Sequence, residues 1–193
     1  MKSIVQDRYG PTPEDVLRLA EIETPTIRPD EVLVRVHAAS VDRGTWHVMA
    51  GLPYPIRMAG FGLRRPKSAN PGRALAGTVH IVGAGVTGFK PGDEVFGIGS
   101  GSFAEYAHAR PDKLWLGGID RQLRAHALSP FVGQNLGTFV ASENSADLTA
   151  IRELIESGKV TPAIDRSYPL NEAAAAIRHM LDGRTCGKVV ITI

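Results

Sequence analysis

Cysteine is almost absent from the chain. Cys186 stands alone among 193 residues, which excludes an intramolecular disulfide and every multi-cysteine zinc site. A lone thiol suits a reducing compartment, so the expected location is cytoplasmic. Long apolar runs are missing too, and none approaches the ~20 residues of a membrane span. The start, Met1-Lys2-Ser3-Ile4-Val5-Gln6-Asp7-Arg8, reaches its charges before an apolar signal core could form, so no secretory leader is expected. Charge of one sign is scarce: 22 Lys and Arg against 20 Asp and Glu leave a net +2. The cluster Arg64-Arg65-Pro66-Lys67 is too short for a nucleic-acid footprint and reads as a solvated loop. Neither nucleic acid nor membrane is an expected partner. The chain has no repeat and no low-complexity stretch. With 43% hydrophobic and 22% charged residues, it folds as one domain or one domain with an appendage.

One motif is present in full. Gly83-Ala84-Gly85-Val86-Thr87-Gly88 matches the G-x-G-x-x-G dinucleotide fingerprint. A β-branched run, 76–82, leads into it, and Glu105 supplies the acidic residue ~20 positions on. A working fingerprint must also open a helix, whose first amides hold the pyrophosphate. Here Phe89-Lys90-Pro91-Gly92-Asp93 follows, and Pro91 with Gly92 cannot sit inside a first helical turn that carries on. Residues 94–97 then read as another strand. The glycines are therefore expected to form a turn between strands.

Alternating or β-branched runs predict strands at 3–6, 16–22, 31–38, 74–82, 93–96, 103–109 and 113–116. Along the third of these, Val32, Val34 and Val36 share one face and Arg35 and His37 the other. Residues 42–51 read as a short helical turn. Residues 52–71, rich in Pro, Gly and Arg, read as a long loop of the kind often used for binding. Beyond 117 the texture changes. A helix is expected at 119–128 and a short apolar strand at 138–142. A second helix, capped by Asn144 or Ser145 and stopped by Gly158, carries a stripe of Leu148, Ile151, Leu154 and Ile155. An extended stretch at 160–168 follows, then a helix capped by Asn171 and a last strand at 188–193.

Three stretches then agree in order. They are Glu31 to Asp42, Gly88-Phe89-Lys90-Pro91-Gly92-Asp93-Glu94-Val95-Phe96-Gly97, and Gly101-Ser102-Phe103-Ala104-Glu105-Tyr106-Ala107. Together they resemble the GroES-like catalytic domain of the medium-chain dehydrogenase/reductase superfamily, in its zinc-free, quinone-oxidoreductase-like branch. The stretch from Leu154-Ile155-Glu156-Ser157-Gly158 to Gly187-Lys188-Val189-Val190-Ile191 resembles the end of the same family. The resemblance implies an α+β fold: a GroES-like β-barrel from residues 1–116 and 160–193, with C-terminal helices. Residues 117–159 are then a short remnant of the Rossmann cofactor domain. That domain, which in the family carries its own glycine fingerprint and binds NADP or NAD, needs more strands and crossovers than residues 117–150 supply.

The resemblance also implies a site. Asp42 occupies the position of the cysteine that ligates catalytic zinc in zinc-dependent relatives. The position of the second ligand, a histidine after glycine, falls on Arg73. An arginine cannot ligate a metal, so no zinc is expected. Asp42 can orient a substrate carbonyl, or it can cap the turn that follows. Trp46, His47 and Tyr54 lie on the stretch that faces substrate in the family, and an aromatic wall would suit quinones or enones; filling the barrel end is the other reading of Trp46 and Tyr54, and a surface or satisfied histidine that of His47. On the cofactor side stand Phe139 and Val140, whose strand is also the candidate edge for a homo-oligomer, and Lys188, which could meet a phosphate or be a plain surface lysine. The implied activity is zinc-independent, NAD(P)H-dependent reduction of a quinone, enone or carbonyl. It requires the cofactor to bind without its usual domain, or a partner chain to supply one. The alternatives are a non-catalytic binding or oligomerising module, and a truncation without function.

Overall fold

The computed structural model describes residues 1–110 and 145–193. In chain order the elements are β1 (Lys2–Val5), α1 (Pro13–Val16), β2 (Arg18–Glu21), β3 (Val32–Val41), α2 (Arg43–Ala50), β4 (Ala74–Val82), β5 (Glu94–Ile98) and β6 (Tyr106–Ala109). After the intervening segment come α3 (Ser145–Glu156), β7 (Ile164–Pro169), α4 (Ala173–Leu181) and β8 (Lys188–Thr192). The class is α+β, as expected. The predicted strands at 113–116 and 138–142 and the helix at 119–128 lie outside the described residues.

β3 organises the sheet. β4 runs antiparallel along nearly its whole length. The opposite edge is divided, with β6 paired to Val32–Arg35 and β8 to Ala38–Val41. β5 flanks β4, and β7 lies parallel outside β8, giving the order β5-β4-β3-β8-β7. β1 and β2 form a separate antiparallel ribbon. Single bridges, Ser3 to Ala104 and Ser100 to His108, tie the ribbon and the loops around β6 to this framework.

The alternation along β3 holds only to a register break. Val32, Val34 and Val36 pack with Leu75, Val79 and Ala107 in one core. Between Val36 and Ala38 the pairing with β4 shifts by a residue at His37. An extra residue reverses the parity of everything beyond it. Ala39 and Val41 accordingly enter a second core, with Met49, Phe103, Ile177, Val189 and Ile191. One strand thus serves two cores.

α1 replaces the first residue of the strand expected at 16–22. Pro13 supplies a fixed φ at its start, and Glu14 and Asp15 suit the N-terminal dipole. α4 starts one residue later than expected. Asn171 makes no cap but lies in a short 3-10 turn, Leu170–Glu172. The buried face of α4 is Ala173, Ala176, Ile177 and Met180, and Gly183 ends it with φ 73°. Arg178 grips Glu14 with two bonds, at 2.6 and 3.2 Å, joining α4 to α1.

His179 on α4 donates to Asp165 on β7 at 2.6 Å, and the backbone N–H of Cys186 donates to the other carboxylate oxygen at 3.2 Å. These bonds hold the Asp165 carboxyl below its usual range, the His179 bond being the larger cause. A lowered carboxyl pKa contributes stability that is fully present above the unfolded value, about 4, and is lost as pH falls through the folded value. Asp165→Asn should therefore lower stability at neutral pH and shrink the loss below pH ~4. Unfolding midpoints measured against pH for both proteins check this, and parallel acid limbs would refute it.

Candidate functional site

Asp42 closes β3 and opens α2. Its backbone is extended, with φ −144° and ψ 174°, and its Oδ1 accepts from the Thr45 N–H at 2.7 Å and the Thr45 hydroxyl at 3.1 Å. This is an N-cap, and it satisfies one of the amides a helix start leaves unpaired. Both bonds end on Oδ1, which leaves Oδ2 outside the cap. At the other end Gly51 takes φ 63° and its N–H bonds to the His47 carbonyl; only glycine adopts that conformation without steric cost. Asp42→Ala should cost about 1 kcal/mol, and Asp42→Asn much less, because asparagine caps equally well. Urea unfolding of the two variants distinguishes the cap from the charge.

Trp46 sits partly buried against the second core, and its indole N–H donates to the Pro11 carbonyl at 3.1 Å. The His47 ring meets it edge-on, with centroids 5.1 Å apart. His47 Nδ1 lies 2.6 Å from the Leu52 carbonyl oxygen. A carbonyl only accepts, so Nδ1 carries the hydrogen. Tyr54 does not fill the barrel end: it is 68% exposed. Its ring covers one face of the Arg57 guanidinium at 4.7 Å, and Tyr9 covers another approach at 4.4 Å. The Arg57 Nε–H donates to the Gly51 carbonyl at 2.9 Å. The Tyr9 hydroxyl lies 2.7 and 2.8 Å from the Phe61 and Gly62 carbonyls. Burial raises its pKa, against the lowering pull of Arg57. Asp42 and Tyr54 thus stand off opposite ends of an eight-residue helix, about 12 Å long.

β8 pairs with β3 antiparallel, Val41 opposite Val189, so Lys188 and Asp42 each adjoin that last paired position in sequence. Lys188 is exposed, yet its strand lies inside the sheet between β3 and β7, not at the edge. Phe139 and Val140 lie outside the described residues.

The glycine motif is a turn between β4 and β5. Gly83 N–H donates to the Glu31 carbonyl at 2.9 Å, Gly85 N–H to Pro29 at 2.8 Å and Val86 N–H to Gly83 at 3.0 Å. Amides that would have to meet a pyrophosphate are already occupied. A Cβ at Gly83 would run into the carbonyl oxygens of Arg28, Pro29 and Glu31. The glycine is needed for the close approach of protein backbone. Glu105 is committed as well, accepting from the Lys2 N–H at 2.8 Å. A dinucleotide does not fit here.

Sequence reasoning missed Asn70. Its buried amide donates to the Ser3 hydroxyl and the Phe103 carbonyl, at 3.0 and 2.9 Å, and accepts from the N–H of Gly72 and Phe103, at 2.9 and 3.3 Å. It fixes the loop that carries Arg73. Only its neighbours Pro71 and Gly72 marked the place as a turn. The Tyr9–Arg57–Tyr54 stack was equally invisible, since α1, β2, β3 and α2 separate Tyr9 from the other two members in sequence.

The chain matches the family model described as "Alcohol dehydrogenase GroES-like domain" over residues 28–117, and that described as "Zinc-binding dehydrogenase" over residues 77–191. It is 33% identical over 114 residues to a chloroplastic quinone-oxidoreductase homolog of Spinacia oleracea, a match covering 57% of this chain and 32% of that protein. It is 32% identical over 125 residues to the quinone oxidoreductase of Sus scrofa, covering 60% and 33%. The matched part thus spans about a third of the length of these curated relatives. Among solved structures, the quinone oxidoreductase from Coxiella burnetii superposes with a TM-score of 0.76 at 19% identity, covering 100% of this chain and 99% of that one. Among the described residues no helix is long and apolar enough to cross a membrane.

Proposed function

This chain belongs to the medium-chain dehydrogenase/reductase superfamily, in its quinone-oxidoreductase-like branch, and from that premise we propose that it carries the acceptor side of a zinc-independent reduction of a quinone, enone or carbonyl. The family uses a nicotinamide cofactor, which supplies the hydride when bound. The supporting observation is the pair of overlapping family matches, which between them run from residue 28 to residue 191. Residues 1–116 with 160–193 form the GroES-like domain in this reading, and 117–159 the remnant of the cofactor domain. Trp46 and Tyr54 offer aromatic surface to a flat acceptor. Asp42 keeps Oδ2 for a bridging water that orients the acceptor oxygen. Lys188 is assigned to the side of NADPH or NADH in this reading, as are Phe139 and Val140, which lie outside the described residues.

Zinc independence rests on Arg73, which holds a position that would have to ligate the metal. The assay is loss of reduced-nicotinamide absorbance with a quinone acceptor. It should proceed equally with and without a chelator. Absence of saturable NADPH or NADH binding up to about millimolar concentration would overturn the reading.

A second reading is favoured by one feature. Ile151, Leu154 and Ile155 on α3 are 48, 41 and 38% exposed, although the stripe has the spacing of a buried face. A non-catalytic oligomerising module, pairing through 138–142, would cover such a surface. That version requires a dimer or larger assembly by light scattering, and a monomer with bound cofactor would eliminate it.

A further inference from the structure

Between Asp42 and Asp93 the chain has seven Lys and Arg residues and no acidic one, an imbalance inside a nearly neutral protein. Four of them, Arg57, Arg64, Arg65 and Lys67, stand on the loop 52–71. The structure fixes Arg57 in place. Its Nε–H is used by the Gly51 carbonyl, and Tyr9 and Tyr54 cover its guanidinium. Both Nη groups have no acceptor among the described residues. A guanidinium fork held this way has already lost much of its rotamer freedom, so an oxyanion that bridges it meets little further ordering cost. The planar fork suits the two oxygens of a carboxylate. The same loop also exposes large apolar side chains: Met58 is 79% and Leu63 67% exposed.

We propose that the Tyr9–Arg57–Tyr54 stack is a recognition site for a small molecule bearing a carboxylate on an apolar body. The carboxylate bridges the two Nη groups, and the body lies along Tyr54 and Met58. Inorganic phosphate meets the same fork but covers none of the apolar surface. The site is defined by binding alone and is independent of cofactor or turnover.

Hexanoate, acetate and inorganic phosphate, titrated separately into the whole chain at constant ionic strength, provide the test. Hexanoate should shift the Arg57 Nε–Hε resonance saturably, with acetate and phosphate binding about tenfold more weakly for want of the apolar body. By calorimetry, Arg57→Met should weaken hexanoate at least tenfold, and Tyr54→Ala several-fold with an unchanged unfolding midpoint. If Arg57→Met does not fold, the wild-type titration and Tyr54→Ala decide. An unmoved Arg57 resonance, hexanoate affinity unaffected by Arg57→Met or by Tyr54→Ala, or equal affinity for all three anions would each overturn the proposal.

Discussion

Asn70→Ala should lower the stability of the fold by about 3–4 kcal/mol, the largest loss expected from any single side chain discussed here. The amide is 9% exposed and makes four hydrogen bonds across three separate stretches of chain. Removing it leaves the N–H groups of Gly72 and Phe103 buried and unpaired. The Phe103 carbonyl is partly spared, because it also accepts from Ile4 N–H at 2.8 Å. Asn70→Asp should be no milder. It keeps the acceptor for the two N–H groups, but its second oxygen faces the Phe103 carbonyl, where a donor is required, and adds a buried charge. Urea unfolding monitored by Trp fluorescence reads both. A midpoint within error of wild type for Asn70→Asp would mean that the network is not as described.

Gly83→Val is the second large effect. The added side chain must displace the backbone carbonyls of Arg28, Pro29 and Glu31, none of which is a flexible group. The expected cost is about 2–3 kcal/mol, and it falls on stability. In a working dinucleotide fingerprint the same change would remove cofactor affinity while the strand before it stayed intact. Here nicotinamide affinity, measured where the variant remains folded, should equal that of wild type. Loss of affinity with an unchanged unfolding midpoint would reverse the assignment of this turn.

These two residues show what sequence alone could and could not disclose. The turn at 83–88 was legible because Pro91 and Gly92 forbid the helix that a fingerprint requires; local chemistry decided it. The Asp42 cap was legible for the same reason, being a property of one residue and the next few. The two-core role of β3 was not. The valines at 32, 34 and 36 gave the first face, but the parity change at His37 depends on how β4 pairs, and no property of His37 itself announces a bulge. α3 shows the converse case. Its apolar spacing predicted a buried stripe and the helix formed, yet the described part of that stripe faces outward, because periodicity specifies a face and not what covers it. Asn70 and Arg57 draw their roles from partners up to 67 and 48 residues away, and such contacts are fixed only by the fold.

The account rests on the glycine motif being a piece of scaffold. The most direct test follows the backbone amides of Gly83, Gly85 and Val86 by hydrogen exchange and by NMR shift during titration with NADPH. With those N–H groups already donating to Glu31, Pro29 and Gly83, their exchange protection and their resonances should stay the same from cofactor-free to saturating conditions. Saturable shifts centred on these three amides, with a change in their protection, would mean that they hold the pyrophosphate and that the turn is a true fingerprint.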